Sequence, residues 1–144
     1  MAKSLINKGF QRSGNCFKSR PLGVIDDQPA TKEEATTICG AMNKTISDLI
    51  SVNPDVKIIL LTPLQTFGLG VGNQYEVNNS AGYSVMDVNN AVKAIAQKYN
   101  CSCVDMYEVV GVDNYQEYLL SDVLHVSNAG YVAMANHILG QFAQ

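Results

Sequence analysis

The feature that most constrains the fold is a short apolar run, residues 56–61, Val-Lys-Ile-Ile-Leu-Leu, between Asn53-Pro54-Asp55 and Thr62-Pro63. An apolar run of that length with one Lys, bounded by turn residues, reads as a strand covered on both faces, the habit of a parallel sheet. Residues 101–106 give a second strand, with Cys101 and Cys103 on one face. Helical patterns surround both. Thr31 and Glu34 form a capping box, and Ala35, Ile38, Met42, Ile46, Leu49 and Ile50 follow at helical spacing, which predicts a helix over 32–52. Val85, Val88, Val92, Ile95 and Tyr99 predict a helix over 84–99. Leu22 to Ile25 reads as a further short buried strand ending at Asp26-Asp27. Strands alternating with helices imply right-handed crossovers and a parallel sheet flanked by helices, the α/β class.

Ligands in such sheets bind beyond the carboxyl ends of the strands. Asp26 and Asp27, the loop over 62–83 and the stretch around residue 125 all follow strands or precede helices, so they are expected to share one edge. The loop is rich in Gly and Asn, and its length suggests a lid or binding loop. Its Gly68-x-Gly70-x-Gly72 is not a dinucleotide fingerprint, because the third glycine is misplaced and no helix opens there. Residues 107–120 are tyrosine-rich and read as a loop with a short helix.

Composition narrows the class. The chain has 144 residues, 47% hydrophobic and 16% charged, which suits one globular domain. No apolar run approaches the ~20 residues that span a bilayer, and the N-terminus lacks a secretory apolar core, so no membrane role and a cytoplasmic or otherwise reducing compartment are expected. The four cysteines lack metal-site spacing and read as buried free thiols, with no metal, disulfide or cofactor expected. Residues 1–20 carry five bases and no acid, whereas 21–144 carry five bases against thirteen acids, a balance of −8. The division is therefore a basic N-terminal arm over 1–22 and an α/β domain over 23–144. An acidic body without interleaved aromatic and basic residues argues against nucleic acid as the partner.

The densest chemistry lies at Ser121-Asp122-Val123-Leu124-His125-Val126-Ser127-Asn128-Ala129-Gly130-Tyr131. Histidine is the side chain that ionises near neutrality, and a carboxylate three residues away can orient its ring. Ser127 reads as the N-cap of a final helix with an apolar stripe of Ala129, Tyr131, Val132, Ala135, Ile138, Leu139 and Phe142. His137, inside that helix, reads as a structural histidine.

This run, Asp122-x-x-His125 followed by Asn128-Ala129-Gly130-Tyr131 and a closing helix, resembles the last conserved block of the SGNH (GDSL) hydrolases. The resemblance covers about residues 21–144. It implies a flavodoxin-like three-layer sandwich with a parallel sheet. It also implies an acyl esterase or carbohydrate O-deacetylase in which His125 is the base, Asp122 its partner, and a small acyl ester or O-acetylated sugar the substrate. The family's Gly-Asp-Ser nucleophile block has no match, so the fold is expected to be N-terminally truncated or degenerate. The nearest match to its Gly-x-Asn-Asp oxyanion block is Gly23-Val24-Ile25-Asp26, with Asp27 following, and no amide donor stands there in either register. Three explanations stay open: a portion completed by another segment or subunit, a non-catalytic relative that binds carbohydrate or protein, or a substitute serine among Ser4, Ser13 and Ser19. A sheet lacking a strand would expose an edge or an apolar face, so self-association or a partner chain is expected.

Overall fold

A computed structural model describes residues 20–65, 67–68, 72–73 and 76–142. The basic arm before residue 20, with Ser4, Ser13, Ser19 and Cys16, lies outside the described residues, as do parts of the 62–83 loop. In chain order the elements are α1 (Ile38–Val52), β1 (Ile59–Leu61), β2 (Phe67–Gly68), β3 (Gly72–Asn73), α2 (Val85–Lys98), β4 (Ser102–Val104), a 3-10 turn (Tyr107–Val109), α3 (Tyr115–Tyr118) and α4 (Asn128–Phe142).

β1 and β4 run parallel in the register Ile59–Ser102, Leu60–Cys103 and Leu61–Val104. The α/β class therefore holds, on a two-stranded parallel sheet among the described residues. Side chains alternate across it. Leu60 and Cys103 face α1 and α2, where Cys39, Ile46, Val88, Val92 and Ile95 form one core cluster. Val104 faces the other way, into a second cluster with Phe67, Met106, Val109, Val110 and Leu119, against which Ala133, Met134 and Ile138 of α4 pack. The expectation that residues 56–61 are covered on both faces is corrected here. Leu60 is buried, but Ile59 and Leu61 are exposed on the α4 side, because α4 covers β4 and leaves β1 open.

Several local expectations also change. Residues 22–25 form no strand. Instead the Pro21 and Leu22 carbonyls accept the Ile38 and Cys39 N–H groups at 3.0 and 2.9 Å, so this segment caps α1. Gly23 has φ +79°, and a Cβ there would come within 2.5 Å of Thr37 Oγ1. The Thr31/Glu34 signal makes turns, with Glu34 accepting the Ala30 N–H at 2.9 Å, and the helix begins at Ile38 behind Thr37 as N-cap. The 62–83 loop carries structure of its own: β2 and β3 pair as an antiparallel hairpin. Phe67 of β2 stacks on Tyr115 at 4.6 Å, tying this loop to the tyrosine-rich segment. α2 matches its expected span, with Ser84 and Asp87 forming a reciprocal capping box. Cys39 is a buried free thiol, whereas Cys101 and Cys103 are free and only half-buried.

Candidate active site

The Asp122–His125 loop is the tip of a hairpin. Leu119 and Val126 form an antiparallel bridge, Leu120 N–H donates to the His125 carbonyl at 2.7 Å, and Val123 N–H donates to the Leu120 carbonyl at 2.8 Å. Asp122 organises the turn. Its Oδ1 accepts the N–H groups of Leu124 (3.1 Å) and His125 (2.9 Å). This arrangement forces Val123 to φ +53°, a left-handed conformation unfavourable for a β-branched residue by about 1–2 kcal/mol. Val123 packs its side chain against the second core cluster, which holds the turn in that shape.

The other oxygen of Asp122, Oδ2, meets His125 Nδ1 at 2.5 Å. The imidazole and the two N–H groups hold the Asp122 carboxyl down to about 2. It is therefore ionised at neutral pH and accepts from Nδ1–H, which leaves the lone pair on Nε2. Nε2 has no partner among the described residues. The pair lies at the surface, the imidazole 64% and the carboxylate 48% exposed. It can therefore take a proton from a group brought to it.

The junction with α4 fixes the loop. Ser127 caps α4 by accepting the Gly130 N–H at 3.1 Å, while its hydroxyl donates to the Glu117 carbonyl at 2.6 Å. Its own N–H donates to the Tyr118 carbonyl at 2.9 Å. Gly130 is buried, and a Cβ there would overlap the Tyr118 carbonyl oxygen and lie 2.6 Å from Val126 Cγ1. The glycine is what allows α4 to start this close to the hairpin. The packed face of α4 is Gly130, Ala133, Met134 and Ile138, so of the expected stripe only Ile138 faces the core. His137 is structural, Nε2 meeting the Asp105 carbonyl at 2.8 Å.

The edge that carries this loop holds a second polar group that the sequence reading missed. Asp105, just past β4, accepts from Thr62 Oγ1 (2.9 Å), just past β1, from Asn89 Nδ2 (3.0 Å) on α2, and from the Tyr107 N–H (3.1 Å). Lys93 pairs with its other oxygen. Thr62 Oγ1 in turn accepts the Met106 N–H at 2.8 Å. Burial pushes the Asp105 carboxyl up, but Lys93, Asn89, Tyr107 and Thr62 outweigh it and hold the group well below the ordinary carboxylate range. The signal available in sequence was polar residues directly after two strands, with Asn89 and Lys93 one helical turn apart.

The structure brings Asp122 and His125 together. Among the described residues no hydrogen bond or ion pair joins Gly23, Asp26 or Asp27 to them. Asp26 pairs with Lys98, the last residue of α2, at 3.0 Å. Asp27 accepts from the Thr37 hydroxyl at the start of α1, and its carbonyl accepts from Asn43 at 2.6 Å. Among the described residues no group of three or more His, Cys, Asp or Glu is arranged to hold a metal ion, and no helix is long and apolar enough to cross a membrane.

No protein-family model and no curated protein matches the chain. Solved structures do. The chain is similar to a possible lipase from Chitinophaga pinensis, at 24% identity and a TM-score of 0.65, over 88% of this chain and 67% of that one. It is similar to a protein from Bacteroides ovatus named for its likeness to GDSL lipases, at 22% identity and a TM-score of 0.58, over 90% of this chain and 49% of that one. The esterase domain of the ORF1 protein of the zebrafish ZfL2-1 retrotransposon is similar at 16% identity and a TM-score of 0.54, over 72% of this chain and 59% of that one. The chain shares the fold of these lipase-like and esterase structures. Likeness at these identities carries the scaffold, and chemistry is argued from the site. This chain spans from 49% to 67% of the length of these three structures.

Proposed function

We propose that this chain carries the base half of an ester-hydrolase site, with His125 as general base and Asp122 as the carboxylate that orients it. The observation that carries the reading is the Nδ1–Oδ2 contact at 2.5 Å with Nε2 directed to no other described group. In this mechanism Nε2 takes the proton of an attacking hydroxyl, and the imidazolium that forms is stabilised by Asp122. The hydroxyl adds to the ester carbonyl, the tetrahedral adduct expels the alkoxide, and Nε2 gives it the proton. Where the hydroxyl is a serine's, water deprotonated by the same Nε2 then hydrolyses the acyl-serine and releases the acid. The substrate class is a small acyl ester or an O-acetylated carbohydrate. The hydroxyl donor is a serine of this or a partner chain, or water with slower turnover.

A second reading is a non-catalytic SGNH-like module that binds carbohydrate or protein. Two observations favour it: no described serine hydrogen-bonds His125 Nε2, and Asp26 pairs with Lys98 instead of joining the His125 loop. Turnover of p-nitrophenyl acetate by the full chain and by His125→Ala separates the two. The hydrolase reading requires turnover above buffer that falls at least about a hundredfold in the variant. Equal rates in both would leave the binding module.

A further inference from the structure

The tip of the hairpin that carries His125 has one foothold on the body of the protein. Ser121, Asp122, Leu124 and His125 are exposed, and of the tip residues 121–125 Val123 alone is half-buried. Its side chain packs against the second core cluster, which Leu119 and Val126 also meet at the base of the hairpin. Val123 is also where the backbone is most crowded. Among the described residues two that are not glycine have positive φ, Asn100 and Val123. Asn tolerates that region, because its short polar side chain bonds locally, whereas a β-branched residue does not. Such a conformation persists only where the surroundings over-determine it, and it tends to mark functional sites. Here the Val123 N–H donates to the Leu120 carbonyl at 2.8 Å, and the Leu120 N–H donates to the His125 carbonyl at 2.7 Å, so one residue clasps both sides of the tip. The left-handed turn between them lets Asp122 Oδ1 reach the N–H groups of Leu124 and His125, which leaves Oδ2 for the imidazole.

We propose that Val123 is a positioning residue for His125: its packed side chain fixes the left-handed turn, and the turn keeps the Asp122 carboxylate on Nδ1. The inference rests on the reading of His125 as the general base and adds the residue that sets its tautomer. With the proton held on Nδ1, Nε2 keeps its lone pair for the attacking hydroxyl. Without the anchor the backbone leaves the left-handed region, Oδ1 loses its two N–H donors, and the carboxylate leaves Nδ1. The proton then distributes between the two ring nitrogens, and every ring that carries it on Nε2 is unable to accept another.

The test is nitrogen NMR of the full chain with isotope-labelled histidine, read with the imidazole neutral, with His125→Ala assigning its signals against those of His137. The nitrogen shifts give the ratio of Nδ1–H to Nε2–H tautomers. The proposal expects mainly Nδ1–H in the wild-type chain. Val123→Gly removes the anchor and relieves the crowded backbone together, so its melting temperature should move little. Its tautomer ratio should nevertheless fall at least about tenfold, as a charge-assisted hydrogen bond is lost. Val123→Ile keeps a branched apolar anchor and should hold the wild-type ratio. A purely structural role predicts an unchanged ratio in folded Val123→Gly, and that result overturns the proposal. Should Val123→Gly lose its fold, Val123→Ala removes the anchor and is judged by the same ratio. A wild-type ring protonated mainly on Nε2 overturns the proposal equally. The ratio needs no turnover, so a chain inactive on p-nitrophenyl acetate would end the reading of His125 as a base while the ratio still decides the part of Val123.

Discussion

Asp105→Ala tests how the carboxyl edge is held in shape. The carboxylate serves Thr62, Asn89 and the Tyr107 N–H through one oxygen and Lys93 through the other. Thr62 and Asn89 are buried, so water does not readily replace the lost acceptor. A hydrogen bond to a charged group contributes about 1.5–3 kcal/mol, and three that share one oxygen do not add in full. The Lys93 pair is partly exposed and contributes no more than about 1 kcal/mol after solvent screening. The variant should therefore lose about 3 kcal/mol. With a urea m-value of about 2 kcal/mol/M, its midpoint falls by about 1.5 M. The carboxyl is held below its ordinary range, so its contribution is fully present above the unfolded pKa of about 3.9 and is lost as pH falls through the folded value. The gap between wild type and variant in urea unfolding followed by circular dichroism should thus be widest near neutrality and narrow below about pH 4. A gap under about 0.5 kcal/mol at neutral pH, or one that widens in acid, would refute the reasoning.

Gly130→Ala should cost about 1–3 kcal/mol, read as a lowered melting temperature, because the new methyl meets the Tyr118 carbonyl and Val126. Any esterase activity should fall with it, since Tyr118 also accepts from Ser127 at the base of the His125 loop. Asp122 stays ionised down to about pH 2, so in a pH-rate profile between about pH 8 and pH 4 no inflection should come from this carboxylate, and any inflection there in Asp122→Asn should not be traceable to loss of a titrating acid. Asp122→Asn should cut turnover by orders of magnitude while leaving the far-ultraviolet spectrum unchanged, because an amide cannot stabilise the imidazolium.

The parts of the fold that were legible in the sequence are those set by local periodicity. Ser84 with Asp87 starts α2 where the Val85, Val88, Val92 and Ile95 pattern begins, and three of those four residues are buried. The Asp122-to-His125 spacing also reads correctly as a contact, since a tight turn needs only nearby residues to form. What failed depends on distant partners. Thr31 and Glu34 have the chemistry of a helix start, yet α1 waits for Thr37 because the carbonyls that satisfy its first N–H groups come from Pro21 and Leu22. α4 is apolar nearly all round, so its sequence offered two faces, and only packing against Val104 and Met106 selects Gly130, Ala133, Met134 and Ile138. Residues 56–61 gave no sign that α4 would cover β4 and not β1. The Asp105 group joins residues from two strand ends and a helix, which no single window of sequence holds.

The claim on which the functional account stands is that His125 activates a nucleophile. A fluorophosphonate serine probe, with intact mass and peptide mapping, measures this directly on the full chain and on His125→Ala. The account predicts one labelled serine in the wild-type chain, alone or with the partner that completes the site, and loss of that label in the variant. Equal labelling of both proteins would contradict it.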